Sequence, residues 1–148
     1  MKLTAILIMC ALCLMSFCSV GQGKSSKVMK HFVIDTKNIN EVNIQLPENS
    51  YEIKSTSSQR MLIDLNVLAN NTTDNALRIL MEQGRYNIQT TKDNTSNKLC
   101  LKPSGNLAAI FINGKELKEN IKYTVYIPKH INYRTSLLKA ETTEVAKK

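Results

Sequence analysis

The sequence predicts a mainly β fold, an antiparallel two-sheet β-sandwich-like domain with one short α-helix, preceded by a cleaved signal peptide. Three observations predict it. Apolar residues recur at every second position through most of the chain, the window Asn75 to Gln83 switches to helical spacing, and an apolar run follows Lys2 at the start. The 148 residues suit one hydrophobic core, and 43% apolar with 22% charged residues excludes wholesale disorder. Five glycines and three prolines exclude collagen-like or low-complexity architecture.

Residues 1–21 read as an export signal. Lys2 precedes an apolar stretch from Leu3 to about Cys18, interrupted only by Thr4 and Ser16. That stretch is short for a membrane span, which needs ~20 apolar residues, and no cationic stop-transfer cluster follows it directly. Ser19 and Gly21 supply the small residues that signal peptidase accepts, so cleavage is expected between Gly21 and Gln22. The alternative is a lipid anchor on Cys18, which Phe17 disfavours because lipoprotein signals place a small residue before the cysteine. Cleavage removes Cys10, Cys13 and Cys18 and leaves Cys100 alone, so the mature chain has no intramolecular disulfide.

A flexible leader (22–27) is expected next, then a β-rich domain (28–138) and a frayed polar tail (139–148). Within the domain, Val42, Ile44 and Leu46 face one way, and the turn cluster Pro47 to Ser50 follows. Tyr51 and Ile53 continue the alternation. Met61, Ile63, Leu65 and Val67 form the next inward stripe, opposite Leu62, Asp64, Asn66 and Leu68. Arg85 to Thr91 reads as a strand with Tyr86 and Ile88 inside. Leu99 and Leu101 point inward around Cys100. Leu107 to Ile112 is apolar on both faces, which predicts a strand covered on both sides. Asn113-Gly114 is a type I′ hairpin signal, because both residues tolerate positive φ. Ile121, Tyr123, Val125 and Ile127 make the last clear stripe, closed by Pro128.

The helical window places Ala76, Leu77, Leu80 and Met81 on one face, which predicts an amphipathic helix over about 75–83. Asp74 is its expected N-cap and Gly84 its left-handed C-terminal residue. Nine residues fall below the ~12–15 that sustain an isolated helix, so this one must pack on a sheet.

The run Leu77 to Gln89 (LRILMEQGRYNIQ) and the run Ile112 to Pro128, which ends in a Tyr-x-apolar-x-apolar-Pro element, resemble bacterial adhesin-like envelope proteins, domains of unknown function. The likeness spans roughly residues 32–135 as a pattern of strands and turns. It implies a role in the cell envelope, no enzyme activity and no cofactor. The chain lacks the Gly-, Asn- and Asp-rich repeating body of such proteins and is similar to their amino-terminal portion only.

Catalytic motifs are missing from the residues themselves. No G-x-S-x-G, H-E-x-x-H or P-loop occurs, and His31 and His130 read as surface imidazoles on a strand and in a turn. Asp35, Asp64, Asp74 and Asp93 have no metal-loop spacing, so no metal site is expected. The competing reading is a secreted hydrolase whose carboxylates meet only in the folded chain. Cys100 is a candidate intermolecular thiol in an oxidising compartment. Formal net charge is +8, with Lys24, Lys27 and Lys30 near the start and Lys115, Lys118, Lys122 and Lys129 around the last hairpin. Because the aromatics mostly fall on apolar stripes rather than standing free for base stacking, and export removes the usual targets, these lysines point to solubility or to an anionic lipid or glycan of an envelope, not to nucleic acid. Asn70 to Thr73 and Asn94 to Ser96 match the N-glycosylation sequon; in a bacterial export protein they mark polar turns.

Overall fold

The computed structural model of the chain describes residues 25–104 and 107–136. The expected signal peptide, its Gly21–Gln22 cleavage point, Cys18 and the polar tail 139–148 lie outside those residues.

The described elements are β1 (Ser25–Asp35), β2 (Glu41–Ile44), β3 (Tyr51–Thr56), β4 (Arg60–Asn70), α1 (Asp74–Glu82), β5 (Ile88–Asp93), β6 (Lys98–Pro103), β7 (Phe111–Ile112), β8 (Lys115–Glu116), β9 (Lys118–Pro128) and β10 (Asn132–Thr135). The chain is therefore mainly β with one short helix. One four-stranded sheet has the order β1-β4-β9-β3, a second has β10-β2-β6-β5, and β7-β8 is a small hairpin.

The expectation of a purely antiparallel fold is corrected by the register. β1–β4, β4–β9 and β5–β6 are antiparallel, but β3–β9, β10–β2 and β2–β6 are parallel. Period-two alternation fixes which face a side chain occupies and is silent on strand direction. Both sheets are mixed.

One core joins the sheets. The first sheet supplies Met61, Ile63, Leu65 and Val67 from β4 with Tyr123, Val125 and Ile127 from β9. The second supplies Val42 and Ile44 from β2 with Leu99 and Leu101 from β6. Each of these stripes has the phase expected from the alternation. A smaller cluster of Ala69, Leu77 and Leu117 sits beneath α1 and the β7–β8 hairpin.

Four local expectations are corrected. β1 starts at Ser25, inside the expected leader, because Ser26 is buried and its Oγ donates to the Thr72 carbonyl at 3.0 Å. The N-cap of α1 is Thr73 rather than Asp74: its extended backbone (φ −114°, ψ 156°) lets the hydroxyl accept the Ala76 N–H. Gly84 at φ +86° is the left-handed residue after the helix, as expected, and Asn87 Nδ2 stands 3.0 Å from where a Cβ would be. Tyr86 is buried in the turn after α1, and β5 begins only at Ile88.

The fourth correction concerns Leu107 to Ile112. Leu107 to Ala109 are exposed and outside any strand, and only Phe111–Ile112 pairs, with Lys115–Glu116. A short hairpin standing beside the core has no second layer to cover it, so apolar residues on both faces do not make a buried strand here. The Asn113-Gly114 turn forms as expected, with φ values of 50° and 75°.

Candidate functional site

The outer faces of the two sheets differ in chemistry. On the second sheet, Glu41, Asn43, Cys100, Lys98, Thr91 and Arg134 share the solvent side by register. Glu41 joins Arg134 at 3.0 Å and Lys98 at 3.5 Å, an ordinary charged surface.

The first sheet presents an apolar patch on its outer face. Register aligns Val33 of β1 with Leu62 of β4, Tyr126 of β9 and Lys54 of β3. The neighbouring row is His31, Asp64, Thr124 and Glu52, and beyond it lie Met29, Asn66 and Lys122. Val33 is 63% exposed, Met29 52% and Leu68 44%. A groove of about 250 Å³ runs between Val33, Leu62, Tyr126 and Thr56. His31 Nδ1 lies 2.7 Å from Asp64 Oδ1 at the middle of this face. The exposed apolar side chains thus form two groups, Val33 with Leu62 and Tyr126, and Met29 with Leu68, separated by the polar row of His31, Asp64, Thr124 and Glu52.

A buried polar cluster braces the end of the molecule beneath α1. Glu119 shares the inward phase of β9 with Ile121 and Tyr123 and so projects toward the interior. Arg85 meets it with two bonds, Nε to Oε1 at 3.1 Å and Nη2 to Oε2 at 2.7 Å. The Tyr86 hydroxyl donates to Oε1 of the same carboxylate, and Arg85 Nη2 also donates to the Ala108 carbonyl at 3.0 Å. The hydrogen bond to Glu119 holds the Arg85 guanidinium still more firmly charged, against burial. Burial first, and then the bond to Glu119, pushes the Tyr86 phenol far above its ordinary range. Arg85, Tyr86 and Glu119 thus bond to one another and to the Ala108 carbonyl, tying the turn after α1 to β9.

Tyr123 allows a pH prediction. Burial pushes its phenol up to about 12 from the ordinary 10. The unfolded chain loses that proton first, so stability is full below pH 10 and falls as pH rises toward 12. A loss on the order of 2 kcal/mol is expected across that window. Urea titrations at pH 9 and pH 11.5 check it; Tyr123→Phe should remove this part of the decline and leave the part due to the raised Tyr86 phenol.

The residues singled out from the sequence do not converge. Cys100 is half-buried on the outer face of the second sheet, and it is a free thiol. His130 is exposed in the turn after β9. Asp35 and Asp93 accept backbone amides of their own turns, from Lys37 at 3.0 Å and Thr95 at 2.9 Å, and Asp74 stands in the first turn of α1. Among the described residues, no three His, Cys, Asp or Glu side chains gather, and no helix is long and apolar enough to cross a membrane. In the sequons, Asn71 is exposed at φ 61° while Thr72 is buried, and Asn94 to Ser96 cap the β5–β6 hairpin.

Lys30 departs from the solvated lysine cluster expected near the start. It lies on the inward phase of β1, donates to Asn87 Oδ1 at 2.7 Å and stands 5.2 Å from the Phe32 ring centre. A cation turned inward on an edge strand discourages pairing with a foreign strand.

Compared with known proteins, the chain matches no family model, no curated sequence and no solved structure.

Proposed function

We propose that the chain is an exported, non-enzymatic structural or interaction module of a bacterial cell envelope, adhesin-like in kind, whose two sheets pack as a sandwich. The observation that carries this reading is the outer face of the first sheet. Solvent-side strand positions ordinarily hold polar residues, whereas here Met29, Val33 and Leu68 are exposed, with Lys27 and Lys122 nearby and Lys54 paired to Glu52 at 3.3 Å. An apolar patch rimmed by cations is suited to lying against an anionic envelope component. The apolar leader and the single remaining cysteine agree with export.

Two measurements test it. Mass spectrometry of the chain from expressing cells should find a mature start at Gln22, as glutamine or pyroglutamate. The parent chain should then sediment with isolated envelopes, while Val33→Glu, once its circular dichroism spectrum is found to match the parent's, should remain in the supernatant. An unprocessed chain in the cytosol, or equal sedimentation of both forms, would overturn the reading.

A further inference from the structure

A second surface lies where three connections meet at one end of the two sheets. The β1–β2, β3–β4 and β9–β10 connections, with the last residue of β1 and the first of β4, border an open cleft of about 610 Å³, lined by Asp35, Thr36, Lys37, Asn38, Asn40, Gln59, Arg60 and His130 over the buried Ile39. Ligand-binding clefts commonly span ~300–1,000 Å³.

The cavity is built rather than incidental. The buried Thr36 hydroxyl donates to the Gln59 carbonyl at 2.6 Å, tying the first connection to the second. Ile39 N–H donates to the Thr36 carbonyl at 3.0 Å, closing a turn. Asn132 N–H donates to the Asn40 carbonyl at 3.0 Å, and Lys129 N–H to the Thr56 carbonyl at 3.1 Å, which fixes the third connection against the other two. Lys92 Nζ donates to the Lys37 carbonyl at 3.0 Å from β5. The walls are thus set before any ligand arrives, which lowers the ordering cost of binding.

The chemistry of the lining is specific. Lys37, Arg60 and His130 come from three different connections and face one space. Neither Lys37 nor Arg60 enters an ion pair among the described residues. Asp35 Oδ1 accepts the Lys37 amide of its own turn, and Asp35 faces Arg60 across the β1–β4 register without an ion pair, so the lining carries two cations and one acid. Around the cations stand hydroxyl and amide side chains, Thr36, Asn38, Asn40 and Gln59, and the only ring lining the cleft is the His130 imidazole. Amides and a hydroxyl suit a body rich in hydroxyls, and the unpaired cations suit one acid group on it.

We propose that this cavity binds an anionic sugar, a saccharide unit bearing a carboxylate or a phosphate, with Arg60 and Lys37 on the acid group and Asn38, Asn40 and Gln59 on the hydroxyls. The proposal goes beyond the sheet-face reading, since it concerns a different surface and a small ligand.

The test is titration of the purified chain, followed by calorimetry and amide NMR, with galacturonate, glucose 6-phosphate, glucose and inorganic phosphate. Saturable binding of galacturonate or glucose 6-phosphate is expected, with shifts confined to Thr36–Asn40, Gln59–Arg60 and His130. The two acidic sugars separate a carboxylate ligand from a phosphate ligand. Arg60→Gln and Lys37→Gln should each weaken binding about tenfold, the effect of losing one charge-assisted hydrogen bond, and Lys122→Gln should change nothing. Glucose binding as tightly as galacturonate, inorganic phosphate binding as tightly as glucose 6-phosphate, or shifts lying elsewhere would overturn the proposal. Arg60 also borders the Val33 groove, so Lys37→Gln, which lies outside that groove, separates the two readings: it should weaken sugar binding while sedimenting with envelopes as the parent chain does.

Discussion

Replacing Arg85 by methionine is expected to cost about 3–5 kcal/mol of folding stability, because it leaves the Glu119 carboxylate facing the interior without its counter-charge. The side chains of Arg85 and Glu119 are 9% and 10% exposed, so water cannot take over the lost bonds. Tyr86 would remain as the only side-chain donor to that carboxylate, and a phenol supplies one bond and no charge. For a domain of this size the melting midpoint should fall by roughly 15 °C or more. Thermal and urea unfolding measure the loss. The double change Arg85→Met with Glu119→Met should recover much of it, since a buried ion pair is often exchangeable for apolar residues of similar volume while half of one is not. A double variant as unstable as the single one would show that the guanidinium matters through Ala108 or through its shape instead.

Leu65→Ala is expected to cost about 2–5 kcal/mol, and Leu68→Ala, three residues along the same strand, no more than about 0.5 kcal/mol. β4 has a neighbour on each side, β1 and β9, so Leu65 is fully enclosed between the sheets and its removal leaves a void that cannot collapse. Leu68 has the opposite phase and is 44% exposed on the outer face. Urea midpoints of the two variants measure the contrast. Equal losses would mean that the outer face is covered in solution, which sedimentation would then report as self-association.

That contrast was legible before any fold was known, because alternation alone separates Met61, Ile63, Leu65 and Val67 from Leu62, Asp64, Asn66 and Leu68. The stripes of β2, β6 and β9 were legible for the same reason, as were the short helix and the Asn113-Gly114 turn. Strand direction was not, since parallel partners such as Val42 and Leu99 lie far apart in the chain and alternate identically in either orientation. Leu107 to Ile112 misled because apolarity on both faces implies two covering layers that a free hairpin lacks. The Arg85–Glu119 pair was missed because each residue reads alone as a surface charge. A signal for it existed: extending the Ile121, Tyr123, Val125 stripe back by two positions puts Glu119 inside, and a carboxylate there needs a partner. The end cavity was beyond reach, since Lys37, Arg60 and His130 become neighbours only after three separate connections are brought together.

The parallel placement of β2 carries a consequence for how the molecule is made. Its four residues lie between Lys98–Pro103 on one side and Asn132–Thr135 on the other. A nascent polypeptide emerging from its amino end leaves one border of that ribbon unmatched until residue 101 is out and the other until residue 135 is out. Closing such long loops costs entropy before any reward arrives, so this half of the body is completed late.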